Sequence, residues 1–256
     1  MFRWRERIEP DGTLYGVDWV VTDRWGGSSQ GEFAELNLGA HVGDDPAAVE
    51  TNRHRLAHGF DVALRDLRFM DQQHGCGVTR VGGEQVEPGE SPPPPPSSDG
   101  LITDDPDVVL VVLVADCTPV MLVDRTEGLA AVVHAGRPGM TSGVAQATVE
   151  RLQALGADDL QAVVGPSICG RCYEVPAEMR DRAAAVSPVS ATLSWTGTPA
   201  IDVAAGVVDQ LTAAGVPVQW LPGCSRESED LYSYRRDGQT GRYAAAVRLL
   251  AAEAVA

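Results

Sequence analysis

Three short apolar runs follow one another at residues 108–114, 120–124 and 129–133, separated by five and four residues. The first, Val-Val-Leu-Val-Val-Leu-Val, has seven residues without a polar side chain, the pattern of a strand covered on both faces. Gaps that short cannot hold a crossover helix, so the runs read as hairpin-connected neighbours. A purely parallel sheet is thereby disfavoured.

The rest of the chain interleaves helices with strands. A strand is expected at 15–22, then a turn at Gly26-Gly27. Asp45-Pro46 supplies a cap and an N1 proline for a helix reaching about residue 58. A short strand at 67–70 leads into Gln72-Gln73-His74-Gly75. Helices are expected at 141–154, 176–185 and 202–214, strands at 160–164 and 216–221, and a closing helix at 243–253. The sum is an α/β (α+β) fold with mixed sheets in a sandwich flanked by helices. Residues 82–100 contain five consecutive prolines, Pro92 to Pro96. They read as a Pro-rich surface loop within one domain spanning 1–256, because neither flanking segment is complete alone.

Charge and composition remove several functions. The net charge of −16 over 256 residues repels polyphosphate and anionic membrane surfaces, so neither nucleic acid nor membrane is an expected partner. All 20 basic residues are arginine, which excludes a Schiff-base, P-loop or kinase-type lysine. The first residues lack the apolar core of a secretory signal, and no apolar run is long enough to span a bilayer. Five cysteines, an odd number, do not make a disulfide framework. The expectation is a cytoplasmic protein with reduced thiols, acting as a monomer.

Three residues, His74, Cys117 and His134, each directly follow an expected strand. Open α/β sheets place ligands at such positions, and two imidazoles with one thiolate form a three-ligand metal set with a free fourth position. Separations of 43 and 17 residues require the fold to assemble them. Cys169-Gly-Arg-Cys172 reads as two reduced thiols in a loop, with Cys224 or Cys76 available to complete a metal set. Tyr234-Arg235-Arg236-Asp-Gly-Gln-Thr-Gly-Arg242 is a cationic loop in an acidic protein, suited to an anion.

These segments occur in the order of one family's motifs. They are Asn37-Leu-Gly-x-His41-Val-Gly-Asp-Asp45-Pro, Gln72-x-His74-Gly, Asp99-Gly-Leu-Ile-Thr103 and Ala115-Asp-Cys117-x-Pro. Then come His134-Ala-Gly136, Gly165-Pro-x-Ile168 with Cys172-Tyr-Glu-Val175, and Arg235-Arg-Asp-Gly-x-Thr240-Gly-Arg242. Together they resemble the YfiH-type laccase-domain family, described as purine nucleoside phosphorylases. The resemblance implies a fold like that of a deamidating toxin domain (CNF/YfiH-like) and a Zn2+ held by His74, Cys117 and His134, where copper can also bind. It further implies phosphorolysis of adenosine, inosine, guanosine or methylthioadenosine, and deamination of adenosine. Purine nucleoside and phosphate are then the expected small-molecule partners. Arg235 and Arg242 are candidates for phosphate, Asn37 for the nucleoside, and Asp116 for orienting a histidine or capping a turn.

Two departures from the family pattern stand out. His134-Ala-Gly-Arg137-Pro138-Gly replaces the usual His-Ala-Gly-Trp-Arg-Gly, and Cys169 stands where glycine is expected. Other readings are a metal-independent cysteine hydrolase editing cell-wall precursors, with Cys117 as nucleophile and His134 as base, and a non-catalytic zinc-containing binding protein. A four-copper laccase centre takes on the order of ten histidines, and the chain has five.

Overall fold

A computed structural model describes residues 1–82 and 94–251. Among these, strands β1 (Phe2–Ile8), β2 (Gly16–Thr22), β3 (Leu67–Arg68), β6 (Val109–Val114) and β13 (Tyr243–Leu250) form one sheet in the order β1-β2-β13-β6-β3. A second sheet contains β4 (Val78–Arg80), β5 (Gly100–Thr103), β7 (Thr118–Asp124), β8 (Leu129–Ala135), β9 (Leu160–Val164) and β12 (Val218–Trp220). Its order is β12-β9-β7-β8-β5-β4. Both sheets are mixed: β7 runs antiparallel to β8 and β9, whereas β12 lies parallel to β9 and β4 to β5. A small hairpin joins β10 (Ala191–Leu193) to β11 (Pro199–Ile201).

Alternation along the strands builds the layers. Leu110, Val112 and Val114 of β6 meet Met121 and Val123 of β7 and Ala130 and Val132 of β8 between the two sheets. Val109, Val111 and Leu113 face the other way, against Leu56, Ala57 and Phe60 around helix α1 (Pro46–Gly59). The outer face of the second sheet packs on α2 (Arg137–Thr141), α3 (Val144–Gln153), α4 (Ala177–Val186) and α5 (Val203–Ala213). Central strands therefore have apolar neighbours on both sides, which explains their unbroken apolar runs. Only the second and third runs form the expected hairpin, β7 with β8. The short connection from β6 to β7, which carries Cys117, passes from one sheet to the other, so the first run pairs with β13 and β3 instead.

Several expectations need correction. The closing helix at 243–253 is strand β13, and residues 252–256 lie outside the described residues. Ala244-Ala245-Ala246 favours a helix locally, but β13 sits between β2 and β6 with both faces buried, where alanines let two layers approach. The helix expected at 141–154 is α3, which starts after Gly143 in the left-handed region (φ 78°), and a separate short helix, α2, precedes it. Strand β1 was not anticipated. Its Arg5 makes two hydrogen bonds to the buried Asp18 of β2, at 2.9 and 2.5 Å, on the sheet's edge. The cap on α1 is as expected: Asp45 accepts from Ala47 N, and Pro46 opens the helix.

Of the Pro-rich loop, residues 83–93 lie outside the described residues. Its far end is anchored: Asp71 N donates to Pro96 O at 2.9 Å, and Ser98 N returns a bond to Asp71 O at 3.1 Å. That pairing sets the loop carrying His74 beside the start of β5.

Candidate metal centre

The fold gathers His74, Cys117 and His134 so that one donor atom from each lies within 4.8 Å of the others. Their placement differs from the simple picture of residues following strand ends. His134 is inside β8, Cys117 directly precedes β7, and His74 lies in the loop between β3 and β4. Pairing of Pro119 with His134 across β7 and β8 fixes the distance between the cysteine and the buried histidine.

One carboxylate organises both histidines. Asp99, buried just before β5, accepts from His134 Nδ1 (2.8 Å) and His74 N (2.9 Å) through Oδ1. Its Oδ2 accepts from Gly75 N (2.7 Å) and Gln73 N (3.2 Å). Its carbonyl also accepts from His134 N at 2.8 Å. These bonds hold His74 in the left-handed region (φ 58°), a conformation costing roughly 1–2 kcal/mol for a residue with a Cβ. An ionised Asp99 makes Nδ1 of His134 the protonated nitrogen and leaves Nε2 facing the thiol. Sequence reasoning placed Asp99 in a motif without giving it a task.

Asp116 does not orient a histidine. Its carboxylate accepts from Ser225 Oγ (2.6 Å), Ser233 Oγ (2.7 Å) and Arg235 N (2.6 Å), so it ties two loops to the residue beside Cys117. It too has positive φ (90°). Ser233 also caps the four-residue helix α6 (Tyr234–Asp237).

The electrostatics suit a thiolate. Burial raises the Cys117 pKa, but the charge of His134 and hydrogen bonds from His134 and His74 outweigh it and bring it down to about 6. Burial acts on His134 in the opposite sense, and the Cys117 thiolate with Asp99 raises it to about 9.

The donor set fits a metal ion. A tetrahedral ion with metal–sulfur near 2.3 Å and metal–nitrogen near 2.05 Å needs a sulfur–nitrogen separation of about 3.6 Å, and Cys117 Sγ lies 3.8 Å from His74 Nε2. The two imidazoles meet edge to face at 4.7 Å. Gly136 keeps the space open: a Cβ there would stand 2.7 Å from His74 Cδ2 and 3.2 Å from Cys117 Sγ. His74 is exposed, so the cluster has an open side.

The other candidates are dispersed around this centre. Arg242 is half-buried; burial lowers its pKa, partly offset by the Cys117 and Asp116 charges. Arg235 is exposed, its guanidinium 4.9 Å from the Tyr173 ring centre and bonded to Glu174 O at 2.9 Å. Asn37 is fully buried, and every hydrogen-bonding position of its amide is used. Oδ1 accepts from Gly39 N and Arg242 N; Nδ2 donates to Gly39 O and Asp44 Oδ2. Its direct effect is to hold the backbone of Arg242. His41 belongs to the same surroundings: burial lowers its pKa first, followed by the charges of Arg242 and Arg53, and His134 contributes in the same direction.

The family model described as multi-copper polyphenol oxidoreductase laccase matches residues 18–250. The chain belongs to this laccase family. A relative from Streptomyces coelicolor, purine nucleoside phosphorylase SCO2081, is 46% identical over 240 residues, covering 93% of this chain and 97% of its own. Purine nucleoside phosphorylase ORF3 from Streptomyces griseus is 46% identical over 233 residues, covering 90% and 93%. The crystal structure of YlmD from Geobacillus stearothermophilus superposes with a TM-score of 0.83 at 30% identity, over 95% of this chain and 98% of that one. The family's description names several coppers, yet His54 and His58 are held on α1, leaving His41, His74 and His134. This laccase-family chain therefore lacks the ligands of a multicopper centre.

Proposed function

We propose that this protein is a zinc-dependent purine nucleoside phosphorylase. The observation that carries the proposal is the open-sided triad of His74, Cys117 and His134, oriented by Asp99. Three protein donors with a free position are the pattern of catalytic zinc sites, and a bound ion there supplies Lewis-acid polarisation of an oxygen. Relatives of 46% identity that carry the phosphorylase name support the substrate class.

In the reaction, a phosphate oxygen bonds to the anomeric carbon of ribose as the glycosidic carbon–nitrogen bond breaks. The proton of hydrogen phosphate ends on the departing base, leaving ribose 1-phosphate. Arg242 and Arg235 hold the phosphate charge on the side where Asp116 anchors the Arg235 backbone. Asn37 keeps the Arg242 backbone in place. Deamination is the proposed second activity: water oxygen would bond to the purine six-position of adenosine as the carbon–nitrogen bond to the amino group breaks, leaving inosine and ammonia.

A second reading rests on the Cys117–His134 pair: with no metal, a thiolate beside an imidazolium is the arrangement of a cysteine hydrolase. One preparation separates the two. Metal content is measured by mass spectrometry, and base release from inosine and adenosine is followed with and without phosphate, before and after chelation. Phosphate-dependent release that chelator abolishes and zinc restores is the expected result. Phosphate-independent activity that survives chelation and is stopped by iodoacetamide would replace the phosphorylase with the hydrolase. Bound zinc without turnover would leave a binding protein.

A further inference from the structure

A second group of metal-capable side chains lies outside the site described above. Cys169, Cys172, Cys224 and Glu227 each present one donor atom, all within 4.8 Å of one another. The Cys-x-x-Cys turn lies in the loop after β9, and Cys224 and Glu227 follow β12. Backbone pairing of Ser167 with Cys224, with Ser225 N donating to Ser167 O at 3.0 Å, holds the two loops in register. Cys169 N points at Cys224 Sγ (3.4 Å), and Cys172 Sγ–H donates to Glu227 Oε1 (3.3 Å).

We propose that Cys169, Cys172, Cys224 and Glu227 form a second, structural site for a thiophilic divalent cation of the zinc class. Three sulfurs and a carboxylate complete a tetrahedron, in which neighbouring sulfurs sit about 3.8 Å apart at metal–sulfur near 2.3 Å. A disulfide would use two of the sulfurs and leave the third and the carboxylate without a purpose. Binding releases the thiol protons to solvent. The carboxylate is already steered: Trp195 Nε1 donates to Glu227 Oε1 at 3.2 Å, and Arg171 stacks on the Trp195 ring at 5.4 Å. Cys172 and Cys224 are buried, Cys169 is half-buried and Glu227 is exposed; with four protein donors the set leaves no position free, where the His/Cys triad leaves one.

The two loops it would join reach the first centre from different sides. Ser225, next to Cys224, donates to Asp116 beside Cys117; Tyr173, next to Cys172, lies under Arg235. A cation here therefore fixes the wall that carries the phosphate-binding arginine.

The test counts metal. Reduced full-length protein is loaded with zinc, desalted and measured by mass spectrometry, as wild type, Cys117→Ser and Cys172→Ser/Cys224→Ser. About two zinc ions per wild-type chain are expected, and about one in each variant. Because the double variant removes buried side chains and risks misfolding, cobalt loading of Cys117→Ser provides an independent reading with the second cluster intact. With Cys76, two residues from His74, also replaced by serine in that variant, a strong thiolate-to-cobalt charge-transfer band can arise only from Cys169, Cys172 and Cys224, and Glu227→Gln should shift it. One ion per wild-type chain that disappears with Cys117→Ser would overturn the proposal. So would Cys117→Ser without that band, or a disulfide between Cys169 and Cys172 in the reduced preparation.

Discussion

The two clusters differ in how the fold supplies their donors. His74, Cys117 and His134 are positioned by the junction of two sheets, and a buried carboxylate, Asp99, binds both histidine segments. Cys169, Cys172, Cys224 and Glu227 come from two loops that pair with each other. The first keeps one donor exposed and a glycine where a Cβ would close the space. The second also has an exposed donor, Glu227, but buries Cys172 and Cys224 and supplies four donors instead of three. Three donors with a free position suit a site that must admit a substrate; four protein donors that fill the coordination suit a staple.

The largest effects should fall on the first cluster. Cys117→Ser is expected to abolish phosphate-dependent base release while thermal unfolding stays within a few degrees of wild type. Asp99→Asn should leave the three donors present but misdirected, because an amide cannot accept from His134 Nδ1 and three backbone N–H groups together. A fall of about 10–100-fold in metal affinity and in kcat/KM is expected. Metal titration and initial rates measure it, and unchanged values would mean that Asp99 only stabilises the loop.

Thiol chemistry should separate the clusters in the metal-free protein. Cys117 sits beside two imidazoles and is brought down to about 6. Burial and the Glu227 carboxylate push Cys172 far up. At neutral pH Cys117 should therefore be alkylated by iodoacetamide, with a midpoint near pH 6, while Cys172 resists until strongly alkaline conditions. Peptide mapping after timed alkylation reads both at once. Equal rates would erase the electrostatic distinction between the clusters.

How much of this was visible in the sequence follows from where each determinant resides. The runs at 108–133 and the Asp45-Pro46 cap are local patterns, and they became β6, β7, β8 and α1; which sheet each strand joins is not local, and β6 parts from β7 where a hairpin was expected. The three donors of the first cluster stood out by position and by their motifs. Asp99 did not, because its role exists only once β5 lies beside β8 and the His74 loop folds over it. Glu227 lies 55 residues from Cys172, with nothing between them to announce the contact. The alanines of β13 were misleading for the opposite reason: their local preference is clear, and the central place in the sheet overrides it.

Strand β7 carries the same contrast along its length, with Cys117 before one end and Asp124 at the other. Asp124 is fully buried and accepts from the backbone N–H groups of Thr126, Glu127, Asp158 and Asp159. Burial raises its pKa, but those four bonds prevail and hold it below the ordinary carboxylate value. A depressed folded pKa contributes stability above the unfolded value of about 3.9, and that contribution is lost as pH falls through the folded value. Asp124→Asn should cost about 2–3 kcal/mol at pH 7, lowering Tm by about 4–12 °C, with kcat/KM unchanged. The gap from wild type should narrow below about pH 4. A gap independent of pH would assign the loss to packing.

The smallest expected effect concerns the departure from the family pattern after His134. Gly136 caps α2, and Pro138 lies in its first turn, where a backbone N–H has no partner within the helix. The helix still closes, with Met140 N donating to Gly136 O at 2.9 Å. Proline here restricts the unfolded chain without straining the folded one, so Pro138→Ala should lower stability by only about 0.4–1 kcal/mol. Turnover should not change, because the position of Gly136 beside His74 and Cys117 does not depend on the proline ring. A rise in turnover in Pro138→Ala would show that the proline restrains the first cluster. A large loss of stability would show that α2 depends on it for more than its start.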